Sequence, residues 1–227
     1  MGEYLNQQGH TCLGVRLAGH ATHPEDMIRS RYTDWIASVE DGYDLLRGVS
    51  DHIFLVGLSM GGVLSLVMST RFAPPVKGVV ALSTLSRLPT DYPIWLLRLV
   101  SLVMRYRPKT KETPGRGWFD KSAYKDHVSY MKNPVRSVVE LKKLLLELHK
   151  ALPKVNVPVL LIHSKEDRYV LPENMEHIYA GLVNAQDKTK LDITGSGHVL
   201  PRDAVRQQVF QSALEFIQRI ESSKGSF

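Results

Sequence analysis

The stretch VGLSMGG, residues 56–62, decides how the chain around it folds. It overlaps the end of HIFLVG (52–57), an apolar run of strand length, and it precedes VLSLVMSTRF (63–72), an apolar run of helical length. Its centre has the spacing G-x-S-x-G, which is typical of a sharp turn from a strand into a helix. The flanking glycines are expected to remove side chains that would clash in such a turn. Ser59 is therefore either an exposed nucleophile or a small residue in a tight turn.

Short β-branched or apolar runs alternate with helical patterns along the chain. The predicted strands cover 11–17, 52–57, 77–82, 157–163 and 189–194. Helices are predicted over 33–48, 173–182 and 203–220 from apolar residues at three- to four-residue spacing, and over 63–72, where the run is apolar nearly all round and is therefore expected to be buried. This alternation predicts an α/β fold, a mostly parallel sheet flanked by helices.

Residues 84–153 interrupt this alternation with an excursion too long for an unstructured loop. We predict a helical lid, here called the cap segment, inserted into a core formed by 1–83 and 154–227. The cap segment contains an apolar helix at 94–104, a turn at 107–118 (RPKTKETPGRGW) and a helix at 137–150. The first helix is too short to span a bilayer, so we predict a buried or interfacial helix without stable membrane insertion.

Charge and cysteine content limit the binding partners and the cellular compartment expected for this chain. The net charge is +6, and residues 98–143 alone carry +8. Without a helix-turn-helix, zinc-ligand spacing or aromatic RNP strand, nucleic-acid binding is not expected. The basic segment is interpreted as a solvated helical face or as a surface for anionic lipid or substrate. The single cysteine, Cys12, and a polar start without a leader pattern predict a cytoplasmic protein.

A serine nucleophile needs a base, and the base needs an acid to orient it. His198 lies in TGSGHVLP, a loop of small residues after the last predicted strand. Asp167 lies in HSKEDRYVLP, after the fourth predicted strand, and the neighbouring Glu166 is the alternative acid. These loops follow strands, so Ser59, Asp167 and His198 are predicted at the carboxyl edge of the sheet. The order Ser, Asp, His is that of α/β-hydrolases.

The sequence resembles the bacterial carboxylesterase and monoacylglycerol lipase branch of the α/β-hydrolases. GLSMGGVLSL resembles that group's nucleophile turn, HSKEDRYV its acid loop, and GSGHV its histidine loop; YTDWIASVEDGYDLL and RLAGHATHPEDM extend the match. The resemblance implies hydrolysis of carboxylic esters, with Ser59 attacking, His198 as base and then acid, and Asp167 orienting the imidazole.

One departure from that family concerns the oxyanion. The family has an earlier strand ending in a His-Gly loop, whereas this chain begins in what resembles the following helix, MGEYLNQQGH. We therefore expect an N-terminally truncated version of the fold, with the missing strand between the 11–17 and 52–57 strands. Gly19-His20 corresponds to a separate loop, so the Met60 N–H is the remaining predicted oxyanion donor.

These predictions lead to one main function and its alternatives. The main hypothesis is a serine hydrolase that cleaves short- to medium-chain acyl esters or monoacylglycerols, with no metal or cofactor. Trp95, Leu96, Val170 and Val199 are predicted to contact the substrate. The alternatives are a thioesterase or acyltransferase with the same three residues, or a weak or inactive hydrolase-fold protein that binds lipid or a partner. The third hypothesis is a binding module that contacts anionic surfaces through the basic cap segment.

Overall fold

The computed structural model describes residues 1–108 and 117–223. In these ranges the strands are β1 Phe54–Leu58, β2 Gly78–Leu82, β3 Tyr106–Pro108, β4 Lys132–Pro134, β5 Val159–Ser164 and β6 Lys188–Ile193. The helices are α1 Gly2–Gln7, α2 Pro24–Arg29, α3 Tyr32–Arg47, α4 Met60–Met68, α5 Ile94–Val103, α6 Lys121–Lys125, α7 Val135–Ala151, α8 Glu173–Gly181 and α9 Arg206–Ser222. A short 3₁₀ turn, Leu152–Lys154, follows α7.

The main sheet has the strand order β1-β2-β5-β6, and every neighbouring pair is parallel. Leu58 pairs with Leu82 and Leu82 pairs with Ile162, so the carboxyl ends of the strands meet at one edge. Each parallel connection crosses through at least one helix, as parallel strands require. The α/β prediction is confirmed.

Both faces of the sheet are covered, because successive side chains of a strand point to opposite sides. On β2, Val79 and Ala81 face a core shared with α3, α4, α7 and α8, whereas Val80 and Leu82 face one shared with α1 and α9. The five residues of β2 are all buried. This double covering explains why the central strands are continuous apolar runs.

The predicted strand at 11–17 is wrong. These residues form no strand, since an extended segment becomes one only by pairing its backbone with a neighbour. The Val15 side chain instead packs against α3 at Gly42. A Cβ added to Gly42 would lie 2.5 Å from Val15 Cγ2. Within the described ranges β1 pairs only with β2, and Val56 is partly exposed. The expectation that the fold lacks a strand beside β1 stays a prediction.

The cap segment contains α5, the short antiparallel pair β3–β4, α6 and α7. α5 has no buried residue, so of the two alternatives, a buried or an interfacial helix, the buried one is wrong and the interfacial one stays a prediction. It packs on α7 along one side and leaves the apolar Leu102 and Val103 in solvent. The predicted turn at 107–118 lies largely outside the described residues. Across the described ranges, none of the helices has both the length and the apolar character to cross a membrane.

Candidate active site

Ser59 lies in a sharp turn between β1 and α4. Its backbone has φ 55° and ψ −117°, a left-handed conformation that costs a non-glycine residue about 1–3 kcal/mol. The Ser59 N–H donates to the carbonyl oxygen of Leu82 on β2 at 2.8 Å, and this bond holds the turn on the sheet. The residue is half-buried, so its side chain is within reach of solvent. The strand-turn-helix context predicted from G-x-S-x-G is confirmed.

Two glycines make this turn sterically feasible. A Cβ at Gly57 would lie 2.2 Å from the carbonyl carbon and oxygen of Gly61, and one at Gly62 would lie 1.9 Å from Thr84 Oγ1. At Gly61, the last glycine of G-x-S-x-G, such a Cβ would have no atom within 4 Å apart from its chain neighbours and the backbone of its own helix. The expectation that both flanking glycines prevent clashes is therefore correct for Gly57 and wrong for Gly61. Gly62 fills the steric role instead.

Asp167 and His198 form a hydrogen-bonded pair at the carboxyl edge of the sheet. The distance from His198 Nδ1 to Asp167 Oδ2 is 2.7 Å. The other carboxylate oxygen accepts hydrogen bonds from the N–H groups of Tyr169 at 2.9 Å and Val170 at 3.0 Å. Asp167 is 2% exposed, whereas the His198 side chain is 17% exposed. A buried carboxylate therefore orients an imidazole that reaches the surface.

Burial by itself would raise the pKa of Asp167, but hydrogen bonds from His163 and His198 outweigh it. Together with the Val170 N–H they lower the pKa of Asp167 to about 2. Glu166, the alternative acid, accepts instead from the Ser164 hydroxyl at 3.1 Å. The structure thus brings Asp167, and not Glu166, to the histidine.

Ser59 belongs to the same edge of the sheet, because β1, β5 and β6 run in parallel and the three residues follow these strands. Within the described ranges, no hydrogen bond joins Ser59 to the ring of His198. Met60 is the first residue of α4, and N–H groups in the first turn of a helix have no intrahelical acceptor. The Met60 N–H is therefore available beside the serine.

The predicted substrate contacts fall into two groups. Val170 and Val199 are half-buried and adjoin the Asp167–His198 pair, one in the acid loop and the other directly after the histidine. Trp95 and Leu96 lie on α5 of the cap segment, and Trp95 is 64% exposed. The structure therefore places the two valines at the candidate site and the other two residues on the cap.

Two buried residues of the site were missed by sequence reasoning. His163, on β5, places Nε2 2.8 Å from the Val170 carbonyl oxygen and 3.4 Å from Asp167 Oδ2. Asp203, five residues after His198, is 0% exposed and accepts a hydrogen bond from the Gly197 N–H at 2.6 Å. An acidic residue close behind the histidine loop was the available signal for Asp203. For His163, a polar residue within an apolar strand was the signal.

Comparison with known proteins gives relatives over nearly the whole chain. A monoacylglycerol lipase described as thermostable, from Bacillus sp. (strain H-257), is 30% identical over 225 residues, 95% of this chain and 82% of the relative. A carboxylesterase from Bacillus subtilis (strain 168) is 26% identical over 222 residues, 97% of this chain and 86% of the relative. A solved structure reported for LipS and LipT, two metagenome-derived lipolytic enzymes, is 27% identical, with a TM-score of 0.85 over 96% of this chain and 86% of that one.

Helices cover both faces of the parallel sheet, a strained serine follows one strand, and a histidine–carboxylate pair follows two others. This is the architecture of an α/β-hydrolase. The resemblance inferred from the sequence motifs is thereby confirmed. A family model described as serine aminopeptidase, S33, matches residues 1–204, and the chain belongs to this family.

Proposed function

We propose that the protein is a serine hydrolase that cleaves carboxylic esters, namely short- to medium-chain acyl esters or monoacylglycerols. The 2.7 Å hydrogen bond between His198 Nδ1 and Asp167 Oδ2, at the edge of the sheet where Ser59 turns into α4, carries this proposal. The family model carries the description of an aminopeptidase, but the relatives at 30% and 26% identity are named as a monoacylglycerol lipase and a carboxylesterase. These names favour esters as the substrates.

The proposed reaction begins at Ser59. With its Nδ1 proton held by Asp167, His198 presents an unprotonated Nε2 that accepts the Ser59 proton as Oγ attacks the ester carbonyl carbon. The Met60 N–H donates to the carbonyl oxygen as it becomes negative. His198 then protonates the leaving alcohol, which leaves an acyl group on Ser59.

Water completes the cycle in the proposed mechanism. His198 accepts a proton from a water molecule that attacks the acyl-enzyme, and it returns that proton to Ser59 Oγ as the carboxylic acid leaves. Asp167 stays ionised because its pKa is about 2, so it stabilises the imidazolium in both halves of the reaction. Hydrogen bonds of this kind often tighten only when substrate is bound, which fits the lack of a hydrogen bond between Ser59 and His198 in the described part of the chain.

Labelling with a fluorophosphonate probe tests the nucleophile without assuming a substrate. We expect one adduct, located on Ser59 by mass spectrometry, together with turnover of p-nitrophenyl butyrate. Ser59→Ala should lose both. Ser65→Ala is the matched control, since Ser65 lies on α4 and bonds the Gly61 carbonyl oxygen at 2.9 Å. Equal turnover by Ser59→Ala and the wild type would reject the proposal, and faster turnover of an amino-acid p-nitroanilide would reject the ester preference.

We also propose that residues 84–153 act as a cap over the acyl chain, with 1–83 and 154–227 as the catalytic core. The support is α5, an apolar helix without a buried residue, in a segment rich in lysine and arginine. Its exposed apolar side chains suit contact with an acyl chain or a lipid surface.

Trp95→Ala tests the cap. The variant is expected to lose activity on p-nitrophenyl decanoate more than on the butyrate, because only the longer chain reaches α5. Val183→Ala is the matched control, because Val183 is 66% exposed and lies between α8 and β6, outside residues 84–153. The same change in acyl preference in both variants would contradict the cap assignment.

A cytoplasmic location completes the proposal. Its support is the single cysteine, Cys12, which is unpaired and exposed, as suits a reducing compartment. Fractionation of the source cells is the test, and recovery of the protein outside the cytoplasmic fraction would contradict it.

A further inference from the structure

Asp203 is a buried carboxylate with hydrogen-bond donors on two sides. Its Oδ2 accepts from the Gly197 N–H at 2.6 Å and from the Ser196 hydroxyl at 3.2 Å. Its Oδ1 accepts from the N–H groups of Phe119 at 2.9 Å and Asp120 at 2.7 Å, and from that of the next residue, Ala204, at 2.8 Å. Two carboxylate oxygens offer about four lone-pair sites, so five donors saturate this group.

On one side, these bonds hold the backbone directly before His198. Gly197 and Ser196 are the two residues that precede the histidine, and both donate to the same oxygen of Asp203. The Asp203 N–H donates in turn to the Val199 carbonyl oxygen at 3.2 Å. The backbone on both sides of His198 is therefore bonded to one residue.

On the other side, Asp203 binds the cap segment to the histidine loop. Phe119 and Asp120 belong to the cap, and their N–H groups point at Oδ1. The two backbones touch nearby, since a Cβ at Gly197 would lie 1.6 Å from the Gly117 carbonyl oxygen. A charge-assisted acceptor shared by two segments fixes their separation more tightly than neutral bonds.

We propose that Asp203 is a positioning residue for the base: it keeps His198 in line with Ser59 and makes that alignment depend on docking of the cap residues 117–120. Asp203 touches neither the substrate nor the reacting atoms, and it acts through the backbone of Gly197. This inference rests on the proposed hydrolase function and adds the residue that joins the cap to the catalytic histidine.

Asp203→Asn is the direct test. The asparagine NH₂ group would replace one of the two carboxylate oxygens, and it cannot accept the hydrogen bonds that this oxygen accepts. One of the two segments therefore loses its anchor. We expect kcat for p-nitrophenyl butyrate to fall about 10- to 100-fold, as for a misplaced catalytic group, while KM changes less than about threefold. The far-downfield proton NMR signal of His198 Nδ1–H should weaken or disappear. Amides of the 117–120 segment should exchange faster.

Glu140→Gln is the matched control. Glu140 is equally buried and also accepts a backbone N–H, that of Tyr32 at 3.3 Å, but it lies on α7 away from the histidine loop. This variant should keep the kcat per folded molecule and the downfield signal. A wild-type kcat and an intact signal in folded Asp203→Asn would overturn the proposal, as would equal losses of kcat in both variants.

Two further measurements keep the test decisive. If Asp203→Asn does not fold, Ser196→Ala replaces it, because it removes only the 3.2 Å bond to Asp203. A smaller loss of kcat with a weakened downfield signal would support the proposal, and an unchanged kcat and signal would overturn it. Failure of the wild type to react with the fluorophosphonate probe would instead reject the hydrolase function itself. The two failures are therefore distinguishable.

Discussion

Replacing Gly57 by alanine perturbs the turn that holds Ser59. The new Cβ would lie 2.2 Å from the carbonyl carbon and oxygen of Gly61, whereas ordinary contacts begin at 3.4 Å. Both are backbone atoms of the first turn of α4, so no side-chain rotation relieves the overlap. Close packing therefore requires β1 and α4 to separate by about 1 Å. Because Ser59 lies between them, its Oγ moves by a similar distance.

The size of the effect follows from that displacement. Misplacing a reacting group by about 1 Å costs on the order of 10²-fold in rate. Overpacking typically costs about 1–3 kcal/mol of stability. Gly61→Ala introduces the same methyl group into the same turn, with no atom within 4 Å apart from its chain neighbours and the backbone of its own helix. Alanine is favoured over glycine within a helix by up to about 1 kcal/mol, so this control should be as stable as the wild type or more so.

The assay compares the two variants at equal concentrations of folded protein. We expect kcat for p-nitrophenyl butyrate to fall on the order of 10²-fold in Gly57→Ala and to stay within about threefold in Gly61→Ala. Urea unfolding should show a lower midpoint for Gly57→Ala only. Equal losses in both variants, or a Gly57→Ala protein with wild-type kcat and midpoint, would refute the steric reasoning.

Three other predictions concern pH, the cap and the cysteine. The pKa of Asp167 is about 2 against an ordinary 3.8, so its ionised form stabilises the fold above about pH 4 and loses that contribution as the pH falls towards 2. Urea unfolding should show Asp167→Asn furthest below the wild type near pH 7 and converging with it at low pH; a constant gap would contradict this. The double variant Leu102→Ser, Val103→Ser removes two side chains that are 80% and 92% exposed, so it should lose activity on monoacylglycerol dispersions and keep it on soluble butyrate. An equal loss on both would argue against lipid contact. Partial burial raises the pKa of the Cys12 thiol, which the amino-terminal charge opposes, so alkylation at pH 7 should be slower than that of free cysteine; Cys12→Ser gives the blank, and a rate at pH 7 equal to that of free cysteine would contradict the shift.

Local patterns predicted most of the sheet. Each of the four parallel strands appears within two residues of its predicted position at both ends. For the central strands β2 and β5 the signal is a continuous apolar run, because strands buried on both faces of a parallel sheet are apolar on both faces. The segment 11–17 has the same composition and is not a strand. Composition favours an extended backbone, but only a neighbouring backbone makes it a strand, and no local pattern encodes that neighbour.

The candidate site likewise contains residues that local patterns predicted and residues that they did not. The motif around Ser59 and the loops of Asp167 and His198 were recognisable, because each lies directly after a strand and the carboxyl ends of parallel strands share one edge. Asp203 was not recognised, because its donors are backbone N–H groups, some of them distant in the chain, and His163 was not recognised, because a histidine at the end of a buried strand has a structural explanation. Asp203 is bonded to Phe119 across 84 residues.

By itself, the sequence determined the class of fold, the turn at Ser59 and the choice of its base, and it narrowed the acid to Asp167 or Glu166, since these depend on short-range periodicity and on residue types with particular chemistry. The tertiary structure decided that Asp167 rather than Glu166 meets His198, that Gly62 rather than Gly61 makes room for the turn, that α5 is exposed, and that Asp203 accepts hydrogen bonds from both Asp120 and the histidine loop. These features depend on which distant atoms approach within a few ångströms. Such distances result from the packing of the whole chain.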